Sequence, residues 1–192
     1  MLSFQKRLDA IEDKIRSVSF RERTGLGNEV SYYVFQYPPD KEIEVRHHIE
    51  HLVARNEKGL DGFKLVVFDL YDMIIDVLEK EGFLEQIFKM EKDRGMDRII
   101  KAVGNLLTIN DGNSLMVKTI EDNTPEDAVV FLTGIGKCYP ILRSHKVLNN
   151  LHQSMDRVPV VLFYPGEFTG KDLVLFKTLK DDNYYRAFPL ID

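Results

Sequence analysis

Apolar and polar residues alternate along the chain with periods that predict helices and strands in turn. A helix is predicted over residues 3–17 because its apolar residues recur every three or four positions: Phe4, Leu8, Ile11 and Ile15. Residues 29–37 are β-branched and aromatic and stop at two prolines, which is typical of a strand. Asp40 is then in position to cap a helix over residues 41–57.

The middle of the chain predicts one strand followed by a long helical region. Residues 63–70 are apolar on both faces of a strand, which favours a central place in a sheet. The pattern then becomes helical from about residue 71 to 108, and a short helix is predicted over 113–122. Breaks in the helical region are expected at three glycines, Gly82, Gly95 and Gly104.

The last third predicts further strands and completes the fold class. Strands are expected over 128–133, 159–164 and 173–179, with a helix over 140–154 and a turn at Tyr164-Pro165-Gly166-Glu167. Strands that alternate with helices predict an α/β fold of three layers, with a mostly parallel sheet flanked by helices. We find no internal repeat or linker and expect a single domain over residues 1–192.

The predicted sheet also indicates where function would lie. The loops after strands 63–70, 128–133 and 159–164 would meet at the carboxyl edge of the sheet, where open α/β folds bind their ligands or partners. We treat this edge as the candidate functional face.

Composition narrows the class of protein. Hydrophobic residues make up 44% and charged residues 30% of the 192 residues, which is typical of a globular protein. The net charge of −5 argues against nonspecific binding to nucleic acid, which needs a basic face. The single cysteine, Cys138, excludes an intrachain disulfide, and no segment approaches the ~20 apolar residues of a membrane span. We therefore expect a cytoplasmic protein.

One motif suggests a metal site. His47-His48-Ile49-Glu50-His51 fits the H-x-x-E-H pattern of one class of zinc proteases, with His47 and His51 as ligands and Glu50 as general base. However, the apolar stripe of this helix, formed by Val45, Ile49 and Leu52, turns both histidines outward. A solvated helix face is the favoured interpretation, and we predict no metal.

A second motif, Gly134-Ile135-Gly136-Lys137, has the position of a phosphate-binding loop but not its spacing. It follows a buried strand, yet only one residue separates its glycines and Cys138 stands where a Walker A loop has Ser or Thr. A dinucleotide fingerprint would need a third glycine at Tyr139. A tight turn is therefore favoured, and we predict no cofactor. Asp69, which ends strand 63–70, could hold magnesium, but capping the next helix is the favoured role.

Polar and aromatic residues cluster in the predicted loops without a catalytic arrangement. His145 could act as a base, but the sequence shows no serine or cysteine nucleophile that would be its partner. Cys138 is seven residues away, and no feature of the sequence indicates that its thiol is activated. A recognition surface fits this mixture better. The candidate interaction face consists of Gly134, Gly136, Lys137, Arg143, His145, Lys146, Tyr164, Pro165, Gly166, Asn183, Tyr184 and Arg186.

The chain resembles the B component (BrxB) family of BREX bacteriophage-exclusion systems. The resemblance begins with LSFQKRLDAIEDKI and GLGNEV and is most specific in three segments, FLTGIGKCYPILRSHKVLNNL, PVVLFYPGEF and NYYRAFPLI. It implies a small bacterial cytoplasmic protein that acts with a DNA methyltransferase, a large ATPase and a phosphatase-superfamily protein (PglZ) to mark host DNA and block phage replication. It brings no catalytic residue to this chain.

Together the residues and the resemblance predict a non-enzymatic assembly or adaptor subunit that contacts PglZ, the ATPase or both. Its fold is expected to be similar to P-loop-NTPase or Rossmann domains but without a Walker A loop. Two alternatives stay open at this point. The chain could be a nucleotide-sensing or hydrolytic α/β enzyme that uses the carboxyl-edge loops, or a nucleic-acid-contacting module that uses Lys137, Arg143 and Lys146.

Overall fold

The computed structural model describes residues 2–21, 32–107, 114–170, 172–181 and 187–191, apart from the side chains of residues 144–146 and 181. Residues 29–31, 108 and 113 of the predicted elements lie outside this description, as do Asn183, Tyr184 and Arg186 of the candidate interaction face. Among the described residues no helix is long and apolar enough to cross a membrane.

Helices and strands follow one another in the predicted alternating order. The helices are α1 (Phe4–Arg16), α2 (Val18–Arg21), α3 (Glu42–Asn56), α4 (Leu70–Lys80), α5 (Leu84–Arg94), α6 (Met96–Leu106), α7 (Leu115–Asp122), α8 (Ile135–Cys138) and α9 (Ser144–Ser154). The strands are β1 (Tyr32–Tyr37), β2 (Lys64–Asp69), β3 (Ala128–Thr133), β4 (Val160–Phe168), β5 (Leu173–Leu175), β6 (Leu179–Asp181) and β7 (Phe188–Pro189).

The sheet is mostly parallel, which confirms the predicted fold class. Its main path runs in the order β2-β3-β4-β1-β7, and every pair along this path is parallel. The far end of β4 leaves this path and pairs antiparallel with β5, which pairs with β6. A small antiparallel hairpin is therefore attached to the last three residues of β4, Gly166 to Phe168.

Two apolar layers hold the helices against opposite faces of the sheet. On one face, Tyr33 and Phe35 of β1 join Phe131 of β3 in a core that α1, α2 and α3 cover. On the other face, Val130 and Leu132 of β3 belong to a larger core that α4 to α9 cover. Because successive strand residues point to opposite faces, each strand supplies both cores. This arrangement confirms the three layers.

The predicted central place of the second strand is wrong. β2 lies at one edge of the sheet, next to β3 alone among the described strands. Its residues are apolar on both sides because Leu65 and Val67 pack on the core under α1 to α3, while Val66 and Phe68 pack on the opposite core. Apolar residues on both faces of a strand indicate that helices cover both faces. They do not indicate which strands lie beside it, because strand order depends on pairing between distant segments.

Two predicted helix boundaries also differ. Asp40 does not cap α3, because it lies in a short 3₁₀ turn, Pro39–Lys41, and Lys41 takes the N-cap position without a side-chain hydrogen bond. Of the three predicted breaks, Gly82 and Gly95 separate helices, but Gly104 lies inside α6. Tertiary packing of the apolar face of α6 outweighs the modest helical cost of one glycine, roughly 1 kcal/mol.

The helix predicted over residues 140–154 begins later, at Ser144. The chain instead forms α8 directly after Gly134, and a cis Tyr139–Pro140 bond follows that helix. Tyr139 adopts an extended conformation with φ −67° and ψ 135°, as residues before proline prefer, so α8 ends there. Residues 140–142 form a turn and a bend, and α9 begins only after them.

The predicted turn at residues 164–167 is wrong, because β4 continues through it. Pro165 lies opposite Tyr37 at the end of the parallel pairing with β1, and Gly166 pairs with Leu175 of β5. Gly166 is required there because a Cβ atom would overlap the carbonyl oxygen of Val174. The strand predicted over 173–179 is likewise two strands, β5 and β6, joined by a turn, and β7 is the last described strand.

Candidate functional site

The carboxyl ends of β2 and β3 bring two predicted loops together. The parallel register sets Asp69 beside Thr133, so the residue that ends β2 lies next to the Gly134-Ile135-Gly136-Lys137 loop. Strands that follow each other along a chain are often neighbours in the sheet, and this signal was present in the sequence.

Asp69 caps α4, which confirms the favoured interpretation of this residue. Its Oδ1 accepts hydrogen bonds from the backbone N–H groups of Tyr71 and Asp72, at 3.0 and 3.2 Å. These two donors have no partner inside the helix, so the carboxylate satisfies them and also places negative charge at the positive end of the helix.

The other oxygen of Asp69 holds Lys137. The Nζ atom of Lys137 lies 2.7 Å from Oδ2 of Asp69 and 3.3 Å from Oδ1 of Asp72, and it also lies over the ring of Tyr71. Burial alone lowers the pKa of Lys137, but the hydrogen bonds and charges of the two aspartates outweigh it, so the pKa lies above its ordinary value. The lysine is therefore a cation that this chain itself neutralises.

Gly134 allows the close approach of these two loops. Its φ is +77°, and a Cβ atom built on it would overlap Oδ1 of Asp69 and lie 2.8 Å from the Cγ atom. The glycine therefore has the turn role that the sequence favoured: the α8 loop can touch the carboxylate that caps α4 only because no side chain intervenes.

Cys138 lies beside this loop but has the surroundings of an inert thiol. Its side chain is buried and unpaired with another cysteine. Burial, together with the negative charge of Asp69, raises the pKa of Cys138 to about 12. A nucleophilic cysteine needs the opposite shift, because the thiolate is the reactive form.

A cleft of about 280 Å³ opens between α3 and this edge of the sheet. On its α3 side the hydroxyl of Tyr37 donates to Oε2 of Glu42 at 2.6 Å, and Nε of Arg46 donates to Oε1 of the same carboxylate at 2.8 Å. Burial and the hydrogen bond to Glu42 raise the pKa of Tyr37 far above its ordinary value. Asp69 and Lys137 line the opposite side. The charged groups of this cleft are thus largely paired with one another.

Sequence reasoning did not identify the Tyr37-Glu42-Arg46 network. The signal available was local: Tyr37 ends β1, and Glu42 and Arg46 are an i,i+4 pair in the first turns of the next helix. The sequence pattern did not specify how α3 is oriented relative to the end of β1.

A second pocket, of about 200 Å³, lies between α8 and the β5–β6 hairpin. Arg143 and Tyr164 of the candidate interaction face both line it, although Tyr164 is buried and forms a wall rather than an exposed contact. The exposed side chain of Arg143 makes no hydrogen bond or ion pair with any described residue. Lys180 is the second cation among the described residues that line the pocket.

The tip of the β5–β6 hairpin rests on α8. Phe176 donates its backbone N–H to the carbonyl oxygen of Pro165 at 2.9 Å. A Cβ atom on Gly136 would lie 3.1 Å from the ring of Phe176 and 3.2 Å from Pro165. Gly136 and Pro165, both predicted to belong to the candidate interaction face, therefore lie next to each other, and Phe176 at the tip of the hairpin packs beside Gly136.

The remaining candidates separate from this edge or lie outside the description. The side chains of His145 and Lys146 are not described, and Asn183, Tyr184 and Arg186 are not described at all. His47 and His51 are exposed on α3, as the apolar stripe predicted, and Glu50 lines the cleft beside α3. No group of three or more potential metal ligands occurs among the residues that the structure describes.

Fold and site together define a class: a three-layer α/β protein whose carboxyl edge carries internally paired charges, a buried cysteine and a hairpin-bordered pocket. Comparison with known proteins gives the family. The family model described as BREX protein BrxB matches residues 66–190. A BREX protein BrxB of Bacillus cereus (strain H3081.97) is 46% identical over the full length of both chains. A BREX protein BrxB of Escherichia coli O9:H4 (strain HS) is 31% identical over 96% of this chain and 90% of that protein.

The chain therefore belongs to the BrxB family of BREX phage-defence systems. This confirms the family resemblance that the sequence segments carried. No solved structure matches the chain.

Proposed function

We propose that this chain is a non-enzymatic assembly subunit of a BREX phage-defence complex. In this proposal it acts in the bacterial cytoplasm and contacts the phosphatase-like subunit PglZ, the ATPase subunit or both. The proposal joins the family membership to the chemistry of the carboxyl edge.

The observation that carries the proposal is the contact of Lys137 with Asp69. An α/β enzyme that acts on nucleotides uses a lysine at this edge to bind phosphate. Here the lysine is neutralised by Asp69 and Asp72, and Asp69 is itself committed to the cap of α4. Cys138, the nearest candidate nucleophile, is buried with a raised pKa. The paired ammonium of Lys137 and the buried thiol of Cys138 therefore support a structural role of this edge.

The proposed contacts use the exposed part of the same edge. Arg143, Tyr139 and the β5–β6 hairpin present polar and aromatic side chains beyond the internal ion pairs. Arginine and tyrosine are enriched in protein interfaces, because they combine a large contact area with directed hydrogen bonds.

The experiment is reconstitution of the complex. Tagged protein is co-expressed with the PglZ and ATPase subunits of its own operon, and the masses of the eluted species are measured by size-exclusion chromatography with light scattering. We expect a stable complex that contains this chain and at least one of the two subunits. Elution of the chain alone at micromolar concentration would contradict the proposal.

A ligand screen separates the two alternatives from the assembly role. The melting temperature is measured with ATP or GTP plus magnesium, since a ligand present at 100 times its Kd stabilises by about 2.7 kcal/mol. Binding to labelled single- and double-stranded DNA is measured over a series of salt concentrations. We expect no shift and no salt-dependent binding. A clear response in either assay would favour the corresponding alternative.

A further inference from the structure

We propose that two copies of this chain pair through β2, antiparallel and about a twofold axis at Val67, so that their two sheets become one. The pairing uses the backbone groups of Leu65, Val67 and Asp69 that face away from β3, which we call the β2 edge. A second copy goes beyond the proposed contacts with other subunits and does not depend on them.

The residues of β2 face β3 and the β2 edge in alternation. The N–H of Lys64 donates to the carbonyl oxygen of the residue before β3, at 3.0 Å, so Lys64 and every second residue after it face β3. The N–H of Leu65 points the other way and donates to the side chain of Asn56. The backbone N–H and C=O groups that face outward therefore belong to Leu65, Val67 and Asp69.

Two of these six backbone groups are already bonded within the chain. The side-chain amide of Asn56 takes the place of a neighbouring strand, because it donates to the carbonyl oxygen of Phe63 and accepts from the N–H of Leu65, at 3.0 and 2.7 Å. The carbonyl group of Asp69 is the N-cap carbonyl of α4 and accepts the first bond of that helix. Four groups remain without a hydrogen bond to any described residue: the C=O of Leu65, the N–H and C=O of Val67 and the N–H of Asp69.

These four groups are complementary to the same four groups of a second copy. In an antiparallel pair centred on Val67, the two Val67 residues lie opposite each other and exchange both of their N–H···O bonds. Leu65 of one copy then lies opposite Asp69 of the other, so the open N–H of Asp69 donates to the open C=O of Leu65. The two groups at this position that would otherwise bond each other are those already bonded within each chain. The pairing therefore gives every open group a partner.

This match favours a second copy over a strand of another protein. An ordinary antiparallel strand would present a C=O group opposite the N–H of Leu65 and an N–H group opposite the C=O of Asp69. Both would give up hydrogen bonds to water without gaining a partner, because Asn56 and α4 already occupy these positions. A second copy has its own bonded groups at the same two places and avoids this loss.

The apolar side chains of β2 also lack full cover. Residues 65–69 are all partly exposed, whereas the residues beside them in β3 are buried up to Leu132. In the proposed pairing the two Val67 side chains are neighbours on the face of the sheet that α3 covers, and Val66 lies opposite Phe68 of the other copy on the face that α4 covers. The dimer therefore buries apolar surface on both faces of the sheet at once.

The opposite end of the main strand path has features that prevent such pairing. β7 is two residues long and contains Pro189, and short edge strands and prolines both hinder the addition of another strand. β2 has six residues, without proline or glycine, and its exposed Lys64 lies outside the five residues that would pair. Of these two ends, β2 is therefore the one suited to strand addition.

Removal of one backbone donor tests the pairing. Val67→Pro deletes the outward N–H, and proline is tolerated on edge strands where this group does not bond the neighbouring strand. Val67→Thr is the matched control, because it keeps both the N–H and the β-branched shape. After a circular dichroism melt has checked folding, the mass of each protein is measured by sedimentation at about 1–100 μM. We expect the unchanged chain and Val67→Thr to approach twice the chain mass of 22.3 kDa, and Val67→Pro to raise the Kd of the dimer at least tenfold.

Crosslinking tests the register and does not need the proline variant to fold. Val67→Cys and Lys64→Cys are each made in a Cys138→Ala background and treated with a short thiol crosslinker. A reagent that spans about 10 Å joins the two thiols of Val67→Cys, because the Cα atoms of a hydrogen-bonded antiparallel pair lie about 5.5 Å apart. The two Lys64→Cys residues would lie about 20 Å apart, since six residues of a strand at about 3.4 Å each separate them along the pair. We expect Val67→Cys to be crosslinked at least ten times faster than Lys64→Cys.

Three results would overturn the proposal. The first is a chain that stays monomeric at the highest concentration. The second is a dimer that Val67→Pro leaves intact and in which Val67→Cys is crosslinked no faster than Lys64→Cys. The third is a monomeric chain whose complex with another BREX subunit is lost in Val67→Pro, since the β2 edge would then accept a strand of that subunit. Failure of the assembly function has a different signature: the chain dimerises but forms no complex with PglZ or the ATPase.

Discussion

The Nζ atom of Lys137 lies 2.7 Å from Oδ2 of Asp69, so the lysine after β3 is held by the carboxylate that ends β2. The same carboxylate receives the first N–H groups of α4 through its other oxygen. One side chain thus fixes the start of a helix and the position of the neighbouring loop. The contact explains why the lysine that follows β3 is already paired with carboxylates of this chain.

The closeness of Gly134 to Asp69 predicts an unusual cost for a small substitution. Gly134→Ala forces an alanine to φ +77° and overlaps the Asp69 carboxylate. We expect it to lower the free energy of unfolding by about 2–4 kcal/mol, from roughly 1–2 kcal/mol of backbone strain plus disruption of the α4 cap. Urea unfolding followed by circular dichroism measures this change.

Gly59→Ala is the matched control for that prediction. Its φ is +70°, but a Cβ atom there meets nothing within 4 Å. It should therefore carry the backbone strain alone, roughly 1–2 kcal/mol. Equal costs for the two substitutions would mean that the contact between Gly134 and Asp69 contributes nothing.

The two oxygens of Asp69 have separable roles. Asp69→Asn keeps an oxygen that can cap α4 but removes the charge that holds Lys137, whereas Asp69→Ala removes both. Because the ion pair is partly exposed, we expect Asp69→Asn to cost less than about 1 kcal/mol and Asp69→Ala about 1–3 kcal/mol. Thermal and urea unfolding give the order, and an asparagine variant as unstable as the alanine variant would contradict the split.

The sequence predicted the layers of the fold better than the order within them. The apolar character of residues 63–70 correctly indicated helices over both faces of β2, yet β2 is an edge strand. The residues of a strand indicate by themselves whether each of its faces is buried. Chain order favours β3 as a neighbour of β2, but whether another strand pairs with the other side of β2 depends on segments that are far apart in sequence, and the pattern of one strand does not contain that information.

The candidate site shows the same division. The sequence placed Asp69 and Gly134 at strand ends and favoured the cap and the tight turn, both of which the geometry confirms. It did not predict the contact of Lys137 with Asp69, because that contact depends on β2 and β3 being neighbours. At Pro165 the sequence predicted a feature that is absent. Proline and glycine favoured a turn there, but pairing with β1 opposite Tyr37 keeps Pro165 in β4.

The hydroxyl of Tyr37 provides a prediction for the cleft beside α3. Tyr37→Phe removes its 2.6 Å hydrogen bond to Glu42 and leaves the ring in place. Because Glu42 keeps Arg46 as a partner, we expect a loss of about 1–2 kcal/mol in the free energy of unfolding. Tyr33→Phe is the control, since the ring of Tyr33 packs on Phe20 and its hydroxyl bonds no described residue. Equal losses would remove the assigned role of the hydrogen bond.

Cys138 provides a prediction for the dependence of stability on pH. Burial raises the pKa of this thiol to about 12 from 9.0, so above pH 9 the unfolded chain loses the thiol proton while the folded chain keeps it. The contribution of the thiol to stability is therefore complete below pH 9 and declines between pH 9 and 12, by up to about 1.4 kcal/mol per pH unit.

Cys138→Ala isolates this effect from the other groups that titrate in alkali. The difference in unfolding free energy between the unchanged chain and Cys138→Ala should be constant from pH 7 to 8.5 and shrink from pH 9 to 10.5. In parallel, the folded chain at pH 8.5 should react with a thiol reagent at least 100-fold more slowly than the chain in 6 M urea, because the side chain is fully buried. Rapid labelling of the folded chain would contradict this prediction, because it would show that the thiol of Cys138 is accessible and reactive.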